Sequence, residues 1–322
     1  MVIFTQNANL KKGLVIKSTG SWYRVLDNNR VVVECRIVGK LRMAGIDTTN
    51  PVSVGDEIEF ELEEDGRGVI KNILPRKNYI VRKSINLSKR SHILAANIDC
   101  VYLLVTLVAP QTQPGFIDRF LVSAEAYHIP VVILFNKVDL YEPEDMEVVN
   151  RFIAIYENVG YNCKRISATD ENSIAFLRED IKGKKVMFGG HSGVGKSTLI
   201  NKLDPELKLK TGAISKQHLA GQHTTTFAEM FELSSGGFVI DTPGIKAFGL
   251  VDFDKTELAH YFPEMNELRN ECKFNNCQHI NEPNCAIKAA VDSGKIHESR
   301  YASYYNMMHD DEDETYRKDV YS

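Results

Sequence analysis

The run Gly190-His191-Ser192-Gly193-Val194-Gly195-Lys196-Ser197 constrains this chain more than any other stretch. Glycine, four residues, then Gly-Lys-Ser is the pattern of a loop that wraps a phosphate, provided a strand precedes it and a helix follows. Both flanks qualify: residues 185–188 form a short strand-like run, and 196–203 carry apolar residues at helical spacing. The glycines let backbone N–H groups turn inward round a β-phosphate, where the helix N-terminus adds its positive end. Lys196 is expected to bridge the β- and γ-phosphates, and Ser197 to ligate Mg²⁺.

A base-reading loop is predicted at Asn136-Lys137-Val138-Asp139, directly after the apolar run 131–135. At the C-terminal edge of a buried strand such a loop faces the ligand crevice of an α/β sheet. A carboxylate at Asp139 can accept hydrogen bonds from the N1–H and the exocyclic amine of guanine. Adenine lacks that donor pair and leaves the carboxylate unpaired, which opposes an ATPase. Lys137 can lie along the base plane, and Asn136 can tie the loop to the phosphate loop. Ser167-Ala168, closing another short strand, is expected to offer a backbone N–H to the guanine oxygen.

Asp241-Thr242-Pro243-Gly244 follows the strand-like run 238–240. Asp241 then reaches the Mg²⁺ shell and Gly244 meets the γ-phosphate. Between these motifs lies Gly221-Gln222-His223-Thr224-Thr225-Thr226, where a threonine can ligate Mg²⁺ only while the γ-phosphate is present. Thr225 is favoured among three neighbours. A Ras-like GTPase reads phosphate loop, threonine switch, DxxG, NKxD, then SA. Here NKVD and SA come first, so the chain is circularly permuted, and the segment after DTPG leads straight into the C-terminal part.

At 322 residues the chain exceeds one typical domain. Residues 9–75 read as about five short strands broken by turns, which suits an OB-fold barrel. From 95 to 250 strands alternate with helices, arguing for a doubly wound α/β sheet. Beyond 255 the pattern is helical. The expected boundaries are 1–75, 76–252 and 253–322. The longest apolar run, 100–109, is far short of the ~20 residues that span a bilayer, and the N-terminus lacks the charged head and apolar core of a signal peptide. A cytoplasmic chain with no membrane partner is expected, and nothing demands a dimer.

Net charge is −4, which argues against a generic nucleic-acid binder, but its distribution is uneven. Between Asp65 and Asp99 stand Arg67, Lys71, Arg76, Lys77, Arg82, Lys83, Lys89 and Arg90 with no acidic residue. Uncompensated, they would make a strong positive field suited to an RNA backbone. Trp22, Tyr23 and Tyr79 could stack on bases or sit in the core. The run 310–314 is wholly acidic and reads as a solvated tail.

Cys35, Cys100 and Cys163 fall in apolar runs and are expected in the core. Cys272, Cys277, His279 and Cys285 instead crowd together with a spacing that offers three thiolates and one imidazole. That is a closed tetrahedral set for one structural zinc. The region shows little apolar mass nearby, so metal binding is expected to supply folding energy.

Taken in order, NKVD, SA, GGHSGVGKST, GQHTTT, DTPG, the β-rich N-terminal part and the C-x4-C-x-H-x5-C cluster resemble the ribosome small subunit-dependent GTPase A family over nearly the whole chain. The resemblance implies an OB-fold, a permuted GTPase domain and a helical zinc domain. It implies late maturation of the small (30S) ribosomal subunit, contact with its rRNA, and release of assembly factors coupled to GTP hydrolysis to GDP. Carried over, the nucleotide site is Asn136 to Asp139 and Gly190 to Thr198, and the zinc ligands are Cys272, Cys277, His279 and Cys285.

The group that orients the attacking water is absent from its Ras-type place. Ile245, Lys246, Ala247 and Phe248 follow Gly244, and none positions water as an amide does. Slow intrinsic turnover, on the order of 10⁻⁴ to 10⁻² s⁻¹, is expected, with stimulation by the subunit. His223, beside the switch threonines, is the internal candidate for water positioning. The competing expectation is an RNA-binding module that uses GTP only as a conformational ligand.

Overall fold

A computed structural model describes residues 10–38, 51–82, 92–207, 228–241 and 255–309. Period-two alternation builds the first unit from β1 (Lys11–Ser18), β2 (Tyr23–Asp27), β3 (Val32–Ile37), β4 (Glu57–Leu62) and β5 (Gly68–Ile73). Every second side chain points inward, so Val15, Val25, Cys35, Ile58 and Phe60 share one core. The strands pair in the order β1-β2-β3-β5-β4, and β4 returns to β1, closing the sheet. Only β3 and β5 run parallel. This is the expected five-stranded OB barrel. A hairpin, β6 (Tyr79–Arg82) and β7 (His92–Ala96), follows. It is held to the barrel by the Val54–Ala95 bridge.

The α/β unit runs β8 (Cys100–Val105), α1 (Pro114–Ala126), β9 (Val131–Phe135), α2 (Pro143–Asn158), β10 (Asn162–Arg165), α3 (Glu171–Ile181), β11 (Lys185–Gly189), α4 (Lys196–Leu203), β12 (Glu229–Glu232) and β13 (Phe238–Asp241). Its sheet order is β10-β9-β8-β11-β13-β12, with β12 alone antiparallel to its neighbour β13. Every residue of β8 is buried, because helices cover both faces of the sheet. Phe120, Leu121, Val149 and Ile153 from α1 and α2 pack on one side. Ile174, Leu177, Leu199 and Ile200 from α3 and α4 pack on the other. The chain leaves β8 toward β9 and β11 toward β13, so the crevice outside the carboxyl ends of β8 and β11 is the topological switch point.

Strand β12 also pairs with β1, Glu229 opposite Lys17, so the barrel continues the edge of the α/β sheet. Lys17 and Glu229 form an ion pair at 2.9 Å. Arg30 adds a second pair with Glu232 and lies over the Phe238 ring.

The C-terminal unit holds α5 (Pro263–Leu268), α6 (Ala286–Asp292) and α7 (Glu298–His309). It carries more apolar mass than its sequence suggests. Phe262, Met265, Ile287, Tyr304 and Met307 form a core that also takes Val122 from α1. Residues spaced across the metal cluster converge there, which a local reading of the cysteine segment misses.

The basic stretch is likewise less bare than it reads. Arg67 pairs with Asp65, Lys71 with Glu61, Arg76 with Asp56 and Lys77 with Asp99. The compensating carboxylates lie just outside the acid-free window, or across the barrel from it. Lys83, Lys89 and Arg90 fall outside the described residues, as does the acidic run 310–314. Tyr23 is a core residue, Tyr79 is half-buried, and Trp22 is exposed with Arg67 over its ring. Cys35, Cys100 and Cys163 are all buried, and burial raises each thiol pKa.

Candidate nucleotide site and metal cluster

The glycine-rich loop leaves β11 and enters α4 at the switch point. Gly190 has φ +127, and a Cβ there would stand 2.3 Å from the Leu104 carbonyl oxygen. Gly195 has φ +102, and a Cβ there would meet Asn136 Nδ2 at 2.4 Å. Both positions therefore demand glycine, for conformation and for space. Lys196 Nζ donates to the carbonyls of Gly190 and His191, each at 2.6 Å, so its ammonium sits at the centre of the loop. Burial pushes its pKa down to about 8. Ser197 and Thr198 follow in the first turn of α4, half-buried. Ser192 and Gly193 are exposed at the loop tip, Val194 is buried beneath it, and the His191 ring lies on Phe116 with centroids 3.6 Å apart.

Asn136 holds three loops together. Its Nδ2 donates to the Val194 carbonyl at 2.7 Å, and its Oδ1 accepts the Ala168 N–H at 2.9 Å. The NKVD loop, the SA loop and the phosphate loop thus meet at one fully buried amide. Of the Ser167-Ala168 pair, read from sequence as offering a backbone N–H to guanine, the Ala168 N–H is given to Asn136 here, and the Ser167 N–H goes to Ser173 Oγ at 2.7 Å. Lys137 adopts φ +65 and sends Nζ to the Ala109 carbonyl at 2.5 Å. Val138 and Asp139 form a single 3-10 turn at the rim, with Asp139 exposed.

Asp241 ends β13, two strands from β8 and next to β11, so its backbone emerges beside the phosphate loop. His223, Thr225 and Gly244 lie outside the described residues.

Sequence reasoning missed the segment after β8. Residues 106–113 turn back on themselves: the Thr112 N–H donates to the Thr106 carbonyl at 2.7 Å and Thr106 Oγ1 to the Pro110 carbonyl at 2.5 Å. Pro110 Cδ lies 3.5 Å from where a Cβ on Gly193 would stand. The Tyr141 hydroxyl accepts the Leu107 N–H at 2.8 Å and donates to the Asn136 carbonyl at 3.0 Å. Only the nearness of Tyr141 to Asp139 in the chain hints at this role.

Cys272, Cys277, His279 and Cys285 are brought together, with their ligand atoms all within 4.8 Å of one another. The Cys272 and Cys285 sulfurs are 3.9 Å apart and stand 3.5 and 3.4 Å from His279 Nδ1. Bonds of ~2.3 Å to sulfur and ~2.0 Å to nitrogen at tetrahedral angles give separations of about 3.8 and about 3.5 Å. The four side chains can therefore hold one metal ion. Burial lowers the His279 pKa, favouring the neutral imidazole that a metal needs. The ligand loop is fixed from outside: Tyr301 and Tyr304 donate to the carbonyls of His279 and Gln278, each at 2.7 Å, and Glu282 accepts three backbone N–H groups.

Known proteins match nearly the whole chain. The RsgA N-terminal domain model covers residues 12–70, and the RsgA GTPase model covers 73–251. A "Small ribosomal subunit biogenesis GTPase RsgA" of Christiangramia forsetii is 54% identical over 96% of this chain and 99% of its own length. One of Flavobacterium psychrophilum is 52% identical over 96% of each. The crystal structure of YjeQ from Thermotoga maritima superposes with a TM-score of 0.77 at 36% identity, covering 93% of this chain and 97% of that one. YloQ, described as a circularly permuted GTPase, gives 0.72 at 31% identity over 94% and 96%. With the motif order, the sheet order and the barrel all in agreement, the chain belongs to the RsgA GTPase family.

Proposed function

We propose that this chain hydrolyses GTP to GDP and phosphate in the service of small ribosomal subunit biogenesis. The observation that carries the nucleotide part is the Asn136 amide, which joins the base loop to the phosphate loop in one crevice. Asp139 reads guanine, Lys196 spans the β- and γ-phosphates, and Ser197, Thr225 and Asp241 serve Mg²⁺ when it is bound. Gly244 meets the γ-phosphate and His223 positions water. Relatives that match nearly the full chain carry the name of small-subunit biogenesis GTPases, which supports the ribosomal part.

The barrel face supports contact with rRNA. Trp22, Arg24, Lys17 and Arg67 border one shallow cavity there, and OB barrels bind oligonucleotides across this face. The metal is zinc, since three thiolates and an imidazole with no open position suit its tetrahedral, structural sites. Late action on the subunit, release of assembly factors on hydrolysis, a monomeric state and a cytoplasmic location complete the proposal. No helix among the described residues is long and apolar enough to cross a membrane.

The test is GTP turnover by the purified protein, alone and with small or large subunits at matched salt. Stimulation by the small subunit alone, lost in Lys196→Ala and Ser197→Ala, is the expected result. Equal slow turnover in every mixture would remove the ribosome from the proposal, and no turnover at all would favour GTP as a conformational ligand only.

A further inference from the structure

The segment between β8 and α1 spans the nucleotide crevice from the base loop to the phosphate loop. On its base side, Leu107 and Ala109 are held by Tyr141 and Lys137. On its phosphate side, Pro110 faces Gly193, and Phe116 in the first turn of α1 lies on His191. The Asn136 N–H also donates to the Val105 carbonyl at 2.9 Å, so the base loop is anchored where this segment begins. One oxygen closes that frame. The Tyr141 hydroxyl uses its acceptor on Leu107 and its donor on Asn136, bridging the two loops at backbone level. Burial raises its pKa, so it stays protonated and keeps the donor.

We propose that Tyr141 is a positioning residue for base specificity: its hydroxyl bridge from Leu107 to Asn136 sets where the Asp139 carboxylate stands relative to the phosphate loop. This rests on reading Asn136 to Asp139 as the guanine loop. The geometry allows a tight chain of positions. Asn136 is pinned by its side chain to the phosphate loop and by its carbonyl, through Tyr141, to the strut above it. Asp139 follows three residues later on one 3-10 turn, whose Leu140 N–H closes on the Lys137 carbonyl at 2.9 Å. Removing the bridge leaves the Asn136 backbone free to tilt about its remaining anchors, and the carboxylate tilts with it. A carboxylate that makes two hydrogen bonds to a planar base edge is sensitive to such a tilt, whereas phosphate contacts made at Lys196 are not.

Tyr141→Phe keeps the ring and removes only the oxygen. The expected result is a rise of about 3- to 10-fold in KM for GTP and in Kd for GDP, with kcat at saturation unchanged. Inosine triphosphate lacks the exocyclic amine that Asp139 reads, so its KM should move less and the GTP preference over it should shrink about 3-fold or more. Tyr102→Phe is the control, because it removes a hydroxyl of a buried tyrosine that donates to Asp180 on the α3 side of the sheet. It should leave the preference at the wild-type value. An unchanged preference in Tyr141→Phe, or an equal loss in Tyr102→Phe, overturns the positioning role. A wild-type protein that does not prefer GTP to inosine triphosphate overturns the guanine-loop reading itself.

Discussion

Arg300 Nη1 lies 2.6 Å from the Asp118 carboxylate, although 182 residues separate the two. Arg300 comes from α7 of the C-terminal unit and Asp118 from α1 of the GTPase sheet. Glu264 of α5 takes the other side of the guanidinium at 2.7 and 3.2 Å, and the Tyr156 hydroxyl donates to Asp118 at 2.9 Å. Burial opposes the charge on Arg300, yet the two carboxylates hold its pKa above the ordinary value. The segment leaving DTPG therefore ends in a unit that is clamped to α1, whose first turn places Phe116 on the phosphate loop.

Breaking that clamp from one side should be costly. Arg300→Met leaves two buried carboxylates without a counter-charge and should lower stability by about 3–5 kcal/mol, read by denaturant unfolding. Replacing Asp118, Glu264 and Arg300 together with apolar residues of similar size should recover most of the loss. A single substitution that costs under ~1 kcal/mol would show that the network is not desolvated as its geometry implies.

Base selectivity should move with one atom. Asp139→Asn replaces an acceptor by a donor opposite the exocyclic amine of guanine, while the oxo group of xanthine suits the amide. GTP kcat/KM should fall by about 10²-fold and xanthosine triphosphate should become the better substrate. Steady-state kinetics with both nucleotides decide it, and retained guanine preference would refute the role of Asp139.

Much of this site is legible in sequence because its parts are local. The phosphate loop needs glycines at fixed offsets before a helix, and NKVD needs only a buried strand before it. The OB barrel shows through period-two alternation, and the metal cluster through ligand types that have no other common reason to crowd. What sequence hides are pairings over long separations. Nothing near Arg300 names Asp118 as its partner, and nothing in β1 foretells that Lys17 meets Glu229 at the edge of another sheet. The acid-free stretch misled for the same reason, since Asp56 and Glu61 compensate Arg76 and Lys71 across the fold.

Metal removal should act on one unit. The purified protein should carry one zinc per chain by mass spectrometry under native conditions. A strong chelator, or Cys277→Ser, should release it and lower the unfolding temperature of the C-terminal unit. The apolar core around Phe262 and Tyr304 should keep much of the helix signal in circular dichroism after release. Finding no zinc after purification without chelator would refute the assignment.

The pH dependence of nucleotide binding follows from Lys196, whose pKa burial pushes down to about 8. The triphosphate needs the ammonium, so above that pH binding must take up a proton. Affinity should then be flat from about pH 6.5 to 7.5 and weaken toward tenfold per unit as pH rises past about 8. Folding has the opposite sign. Between about pH 8 and the ordinary lysine range the unfolded chain holds a proton that the folded one has released, so this group raises stability as pH increases. Calorimetry in buffers of different ionisation enthalpy reads the proton uptake directly. Lys196→Ala should bind more weakly at every pH and lose the uptake. Persistence of the same uptake in that variant would assign the proton to another group and overturn the placement of Lys196 at the phosphates.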